Sequence, residues 1–144
     1  MHLADLQWIF VHWLLPTLEG ICLGLVAMAL HEAGHILAAH AVGIKVRRVG
    51  LSWQGMYTVR EPGPPAKNLL VSFAGPLVNL LLTLIWPLSP IFGLANLCCG
   101  ACNLLPIRGS DGDRMLRCWG EMRAATLRAR AVSEIQPDER RRAA

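Results

Sequence analysis

Charge is scarce in this chain: Asp, Glu, Lys and Arg make up 17% of its 144 residues, where a water-soluble domain carries about 25%. So few charged groups leave too little polar surface to coat a body of this size in water. A second C-x-x-C is missing as well. Of the five cysteines (Cys22, Cys98, Cys99, Cys102 and Cys118), only Cys99 and Cys102 have that spacing, and they lie in an apolar stretch. A secreted disulfide scaffold is therefore not expected, and the cysteines read as reduced thiols that let helices pack closely. The opening residues, Met1-His2-Leu3-Ala4-Asp5, lack the positive n-region of a cleavable signal peptide, and none is expected. The formal charge of +4 comes with no nucleic-acid-binding signature, so nucleic acid is not expected as a partner. The length suits one domain.

What the chain has in quantity is apolar sequence: 53% of residues, with a mean hydropathy of +0.39. It comes in long blocks with the charges between and after them, which is a membrane pattern. Residues 3–15 are apolar and aromatic but end at Pro16. As a helix they reach only about 20 Å, short of a hydrocarbon core of about 30 Å, so residues 1–17 read as an interfacial or partly inserted helix. Residues 18–42 form the first spanning candidate, with Gly43 placed to cap it and with Gly20 and Gly24 on a small-xxx-small face. Residues 44–61 alternate and carry Gln54-Gly55, which suggests a short hairpin. Residues 66–86, interrupted by Pro76, make a second span; residues 91–105, stopped by Pro106, make a shorter third. Residues 113–130 are helix-competent and basic, and 131–144 are expected to be frayed.

The expected fold is thus a mainly α, multi-span membrane protein. It has about three transmembrane helices, an N-terminal apolar helix and a β-hairpin-like connector. The organisation divides into 1–17, a core at 18–117 and a basic tail at 118–144. With three spans, the basic connector at 45–67 and the basic segment after 108 fall on one side, which the excess of Lys and Arg makes cytoplasmic, where it meets anionic lipid. Residues 1–17, without Lys or Arg, suit the other side.

Chemistry enters at His31-Glu32-Ala33-Gly34-His35. This is H-E-x-x-H on a helix: four residues make about one turn, so both imidazoles project from one face and can bind one metal ion. Neutral imidazole suits zinc, and Glu32, next to the first ligand, can take a proton from water as general base. Three ionisable groups within an apolar span are expensive there unless they ligate, pair or meet water. Metal coordination offsets that cost directly.

Catalytic zinc usually takes three protein ligands, and here the choice is open. His40 lies nine residues after His31 and about 140° around the helix from His35, off the ligand face. His2 and His12 belong to the N-terminal segment. Asp111, at the end of the third apolar block and followed by Gly112, fits best, with Asp113 as its local competitor.

Three motifs in order cover about residues 18–117: His31-Glu32-Ala33-Gly34-His35, then Phe73-Ala74-Gly75-Pro76-Leu77-Val78-Asn79, then Asn103-Leu104-Leu105-Pro106 followed by Asp111-Gly112. Together they resemble the site-2 protease family of intramembrane zinc metalloproteases, in a minimal form with no PDZ or CBS domain. The resemblance implies that His31, His35 and Asp111 bind zinc, that Glu32 is the catalytic base, and that the substrate is a peptide bond in or near a membrane protein's transmembrane helix. It also implies a substrate-positioning or oxyanion role for Asn79, with Asn103 in a similar or structural one, and pairing of the 44–61 segment with an unwound substrate strand. A bacterial cytoplasmic membrane is the expected setting, and room is left for a regulatory partner chain. The family's common Asp-Gly-Gly-Arg is Asp111-Gly112-Asp113-Arg114 here, which adds a negative charge beside the site. The alternatives are a catalytically inactive zinc-bound membrane scaffold or partner-binding protein, against which the retained Glu32 argues, and a metal transporter, for which the spans lack a polar path.

Overall fold

The computed structural model describes residues 7, 8, 10–52 and 55–142. Four helices and one hairpin follow in order: α1 (Leu15–Ala41), β1 (Val46–Ser52), β2 (Gly55–Arg60), α2 (Pro65–Leu82), α3 (Pro90–Leu104) and α4 (Asp111–Arg142). A π-helical turn at Phe10–Leu14 precedes α1, and a 3-10 turn at Thr83–Ile85 follows α2.

The break expected at Pro16 is not there. Pro16 sits in the first turn of α1, where its missing N–H leaves no partner unsatisfied, and the π-helical turn runs straight into the helix. Val11–Ala41 is therefore one helical stretch. Residues 3–6 and 9 of the expected N-terminal helix lie outside the described residues. At its other end α1 stops as expected: Gly43 takes a left-handed φ of 73°, and Ile44 N–H returns to the Ala39 carbonyl at 2.8 Å, folding Ile44 onto Ala39 and Val71.

The connector is the expected hairpin. Its antiparallel register runs from Ser52↔Gly55 through Val49↔Thr58 to Val46↔Arg60, with a bulge between Val46 and Arg48; Trp53 and Gln54 at its turn lie outside the described residues. Arg60 reaches from β2 to the buried Ser72 hydroxyl on α2 at 2.9 Å, which ties the hairpin's base to the bundle.

Close helix contact comes from glycines other than those expected. Gly20 and Gly24 meet nothing within 4 Å, whereas a Cβ at Gly34 would stand 2.9 Å from the Ala74 carbonyl oxygen and one at Gly100 would stand 3.2 Å from Asn79 Cβ. These two draw α1 and α3 onto α2. Pro76 lies inside α2. Helix α4 begins earlier and runs further than the expected 113–130. Ser110 starts it, its hydroxyl accepting the Asp113 N–H at 3.2 Å, and helical backbone continues to Arg142 through the segment expected to fray.

Burial is inverted relative to a water-soluble domain. The buried hydrophobic residues are few (Ala27, Ala39, Ile44, Val71, Cys118), while His31, Glu32, His35, Ser72, Asn79, Asn96 and Asp111 are all buried. Large apolar side chains such as Leu25, Leu37, Leu81 and Leu84 point outward. Two helical stretches, Val11–Ala41 and Pro65–Ile85, are long and apolar enough to cross a membrane; Pro90–Leu104 is apolar but shorter.

Candidate metal centre

His31 and His35 lie one turn apart on α1, and both rings turn inward against α2 at 4% and 3% exposure. Each ring is held through Nδ1. His31 Nδ1 stands 2.6 Å from the Asn79 amide oxygen, and His35 Nδ1 stands 2.7 Å from the Val71 carbonyl. Both partners are acceptors, so Nδ1 carries the hydrogen on each ring and Nε2 is left with a lone pair. The two Nε2 atoms then face each other at 3.1 Å.

The third donor arrives from α4. Asp111 Oδ2 stands 2.9 Å from His31 Nε2 and 3.0 Å from His35 Nε2. Asp111 is the carboxylate member of the set. Three electron-rich atoms this close repel one another unless a positive charge lies among them, either a proton or a metal ion. Two neutral imidazoles and a carboxylate are a zinc donor set, whose atoms stand roughly 3.3 Å apart around a tetrahedral ion. The observed spacings fall within a few tenths of an ångström of that, so the residues present fit the metal.

Room for the rings comes from α2. A Cβ at Gly75 would stand 2.8 Å from His31 Nε2 and 2.5 Å from His35 Cε1. Glu32, on the same turn of α1, places a carboxylate oxygen within 4.8 Å of both imidazoles. The Thr58 hydroxyl, from β2, donates to Glu32 Oε2 at 2.6 Å. His31, Glu32 and His35 open onto a cavity of about 330 Å³, closed on one side by Tyr57 and Thr58 of the hairpin and reached by Asn103 from the end of α3. The arrangement brings together three candidate metal donors, an adjacent carboxylate and a polar cavity.

No family model matches the chain. A zinc metalloprotease of Methanocaldococcus jannaschii is 30% identical to it over 106 residues, covering 64% of this chain and 31% of that protein. A Synechocystis protein also named for the zinc metalloproteases is 29% identical over 121 residues, covering 73% and 32%. The solved structure of the site-2 protease from Methanocaldococcus jannaschii superposes with a TM-score of 0.60 at 29% identity, covering 67% of this chain and 51% of that one. The chain is similar to zinc metalloproteases and to a solved site-2 protease. It spans about a third of the length of the curated relatives it matches.

In this chain Asn79 does not line the cavity as a substrate or oxyanion group would. Its oxygen takes the His31 hydrogen, and its Nδ2 hydrogens go to the Ala27 carbonyl at 3.0 Å and to Asn96 Oδ1 at 2.8 Å. The amide has no donor left for a substrate; it orients His31. Asn103 does line the cavity, with Nδ2 donating to the Cys99 carbonyl one turn back at 2.9 Å. Asp113 faces away from the imidazoles. The Gly109 amide and Arg117 engage its Oδ2 at 2.9 Å and 2.5 Å, and the same two groups hold its pKa low. His40 is exposed, off the ligand face, and His12 Nδ1 bonds the Trp8 carbonyl at 2.9 Å. All five cysteines are free. Two residues of the site went unnoticed in the sequence: Thr58, which the alternation of β2 could have pointed inward, and Asn96, an amide in an apolar helix that only the packing explains.

Proposed function

We propose that the chain is a zinc-dependent intramembrane endopeptidase that cleaves transmembrane or membrane-proximal segments of membrane proteins. The observation that carries this reading is the convergence of His31 Nε2, His35 Nε2 and Asp111 Oδ2 to within 3.1 Å of one another, with the carboxylate of Glu32 beside them. His31, His35 and Asp111 would hold zinc. Bound there, the metal supplies Lewis acidity that polarises a carbonyl and acidifies water. Glu32, steadied by Thr58, accepts the proton of the attacking water and passes it to the leaving amine. Asn103 and the cavity wall of the hairpin position the scissile segment. The substrate's transmembrane helix has to unwind to expose a peptide bond, and an unwound strand can pair with the hairpin edge.

Membrane embedding is supported by the inverted burial: apolar side chains outward and the ionisable groups enclosed, where a bilayer rather than water is the solvent. We place α1, α2 and α3 across the membrane, making a multi-pass protein of a bacterial cytoplasmic membrane. Helix α3, about 22 Å long at 1.5 Å per residue, is accommodated by local thinning. The hairpin and most of α4 then lie on the cytoplasmic side. A regulatory partner chain is part of this reading. An inactive scaffold would give no use to a carboxylate held beside the metal donors. The test is to incubate the purified chain in detergent with single-span substrates. Cleavage that a zinc chelator abolishes and added zinc restores is expected; cleavage indifferent to the chelator, or none by zinc-loaded protein across a panel of such substrates, would refute the reading.

A further inference from the structure

A buried amide relay leads away from His31 through the bundle. His31 Nδ1–H donates to Asn79 Oδ1 on α2 at 2.6 Å, Asn79 Nδ2 donates to Asn96 Oδ1 on α3 at 2.8 Å, and Asn96 Nδ2 donates to the Phe92 carbonyl at 2.9 Å. Both asparagines have no exposed surface, and no buried side-chain polar atom among the described residues lacks a partner. An amide can turn over and exchange its oxygen for its NH2. For Asn79 the alternative orientation would present hydrogens to His31 Nδ1, would demand the opposite tautomer, and would place a hydrogen on the Nε2 that faces His35 and Asp111. Two acceptors oppose that flip by taking both Nδ2 hydrogens: the Ala27 carbonyl, which is backbone and cannot be substituted, and Asn96 Oδ1.

We propose that Asn96 is a positioning residue for the metal centre, acting through Asn79 to keep His31 in the tautomer that leaves Nε2 free. The inference rests on the zinc reading above. Asn96 reaches neither the metal donors nor the cavity, so its effect passes only along the relay. Outer hydrogen-bond partners of metal-binding histidines typically change metal affinity by about 10–100-fold. The relay joins α1, α2 and α3, so the third helix sets the tautomer of a residue on the first.

The experiment measures zinc affinity of the full chain in detergent by competition with a chromophoric chelator, for the unmodified chain, Asn79→Leu, Asn96→Leu and the double variant. Asn96→Leu is expected to weaken binding about tenfold and Asn79→Leu by about 10–100-fold, with the double variant no weaker than Asn79→Leu by more than about twofold. A merely structural role would make the losses multiply, and that result overturns the relay. So does an Asn96→Leu affinity within twofold of the unmodified chain. Should Asn96→Leu not fold, Asn96→Asp takes its place. A buried neutral carboxyl keeps an oxygen towards Asn79 and a hydroxyl towards Phe92, so affinity within about threefold is expected; a loss as large as that of Asn79→Leu overturns the proposal. An unmodified chain that binds no zinc would instead refute the metal centre itself.

Discussion

Gly75→Ala tests the geometry of the metal centre with a single methyl group. At this residue α2 passes directly beneath the two imidazoles. An added Cβ would stand 2.5 Å from His35 Cε1 and 2.8 Å from His31 Nε2, where non-bonded contacts settle at about 3.5–4.0 Å. Either the rings retreat by about 1 Å or α2 moves away by as much. The rings cannot retreat without losing the Nδ1 hydrogen bonds to Asn79 and Val71, and both of those partners travel with α2. Metal-ligand distances tolerate only about 0.2 Å. Overpacking a filled interior costs about 1–3 kcal/mol, which corresponds to roughly 5- to 150-fold in zinc affinity at 1.4 kcal/mol per factor of ten. Chelator competition reads this directly, with elemental analysis of the purified protein as a second measure. Gly34→Ala is the control: it crowds the same helix pair, but against the Ala74 carbonyl and Val78 rather than a ring, and should lower the melting temperature more than the zinc affinity. Gly75→Ala protein with zinc affinity within twofold of the unmodified chain would refute the reasoning.

Glu32→Gln should keep its zinc while proteolysis falls by about 10²–10⁴; near-normal cleavage would assign the base elsewhere. Asp111→Asn should lower zinc occupancy and abolish cleavage, whereas Asp113→Asn, whose carboxylate is engaged by Gly109 and Arg117, should leave most zinc bound and part of the activity; the reverse order in paired assays would exchange the two roles. Thr58→Val removes the 2.6 Å hydrogen bond to Glu32, a charge-assisted bond worth about 1.5–3 kcal/mol, so kcat should drop roughly 10- to 100-fold with zinc content unchanged and Thr58→Ser restoring most of it. Cysteine labelling in intact cells should place residues 45–67 and those after 120 on the same, cytoplasmic, face; labelling from opposite faces would show that the spans are miscounted.

The grouping of His31, Glu32 and His35 was legible because it is set by local rules. The i, i+4 spacing of His31 and His35 put both rings on one face, and a carboxylate after Leu105-Pro106 stood where an apolar helix had to end. The sequence favoured Asp111 over Asp113, but the placement itself depends on Ser110 capping α4, with Asp111 against the imidazoles and Asp113 on Gly109 and Arg117. Asn79 was misassigned for a similar reason: its motif marks it as functional, but only the packing of three helices shows its amide fully engaged with His31, Ala27 and Asn96. The expected break at Pro16 rested on proline as a helix breaker, and the chain places that proline where the first turn accepts it. Gly20 and Gly24 had the spacing of a contact face, yet the contact lies a few turns later at Gly34, opposite Ala74.

The donors of the metal centre are separated along the chain as widely as they are close in space. Asp111 follows His31 by 80 residues, and between them come the hairpin, α2 and α3. A ribosome delivers these pieces in order, so a growing chain that has reached Gly100 holds His31, Glu32 and His35 but not Asp111. On the proposed function, the full donor set is complete only once α4 has been made and Asp111 has reached the imidazoles. On that same function, such a centre would stay silent throughout its own insertion and become competent only when the last helix arrives.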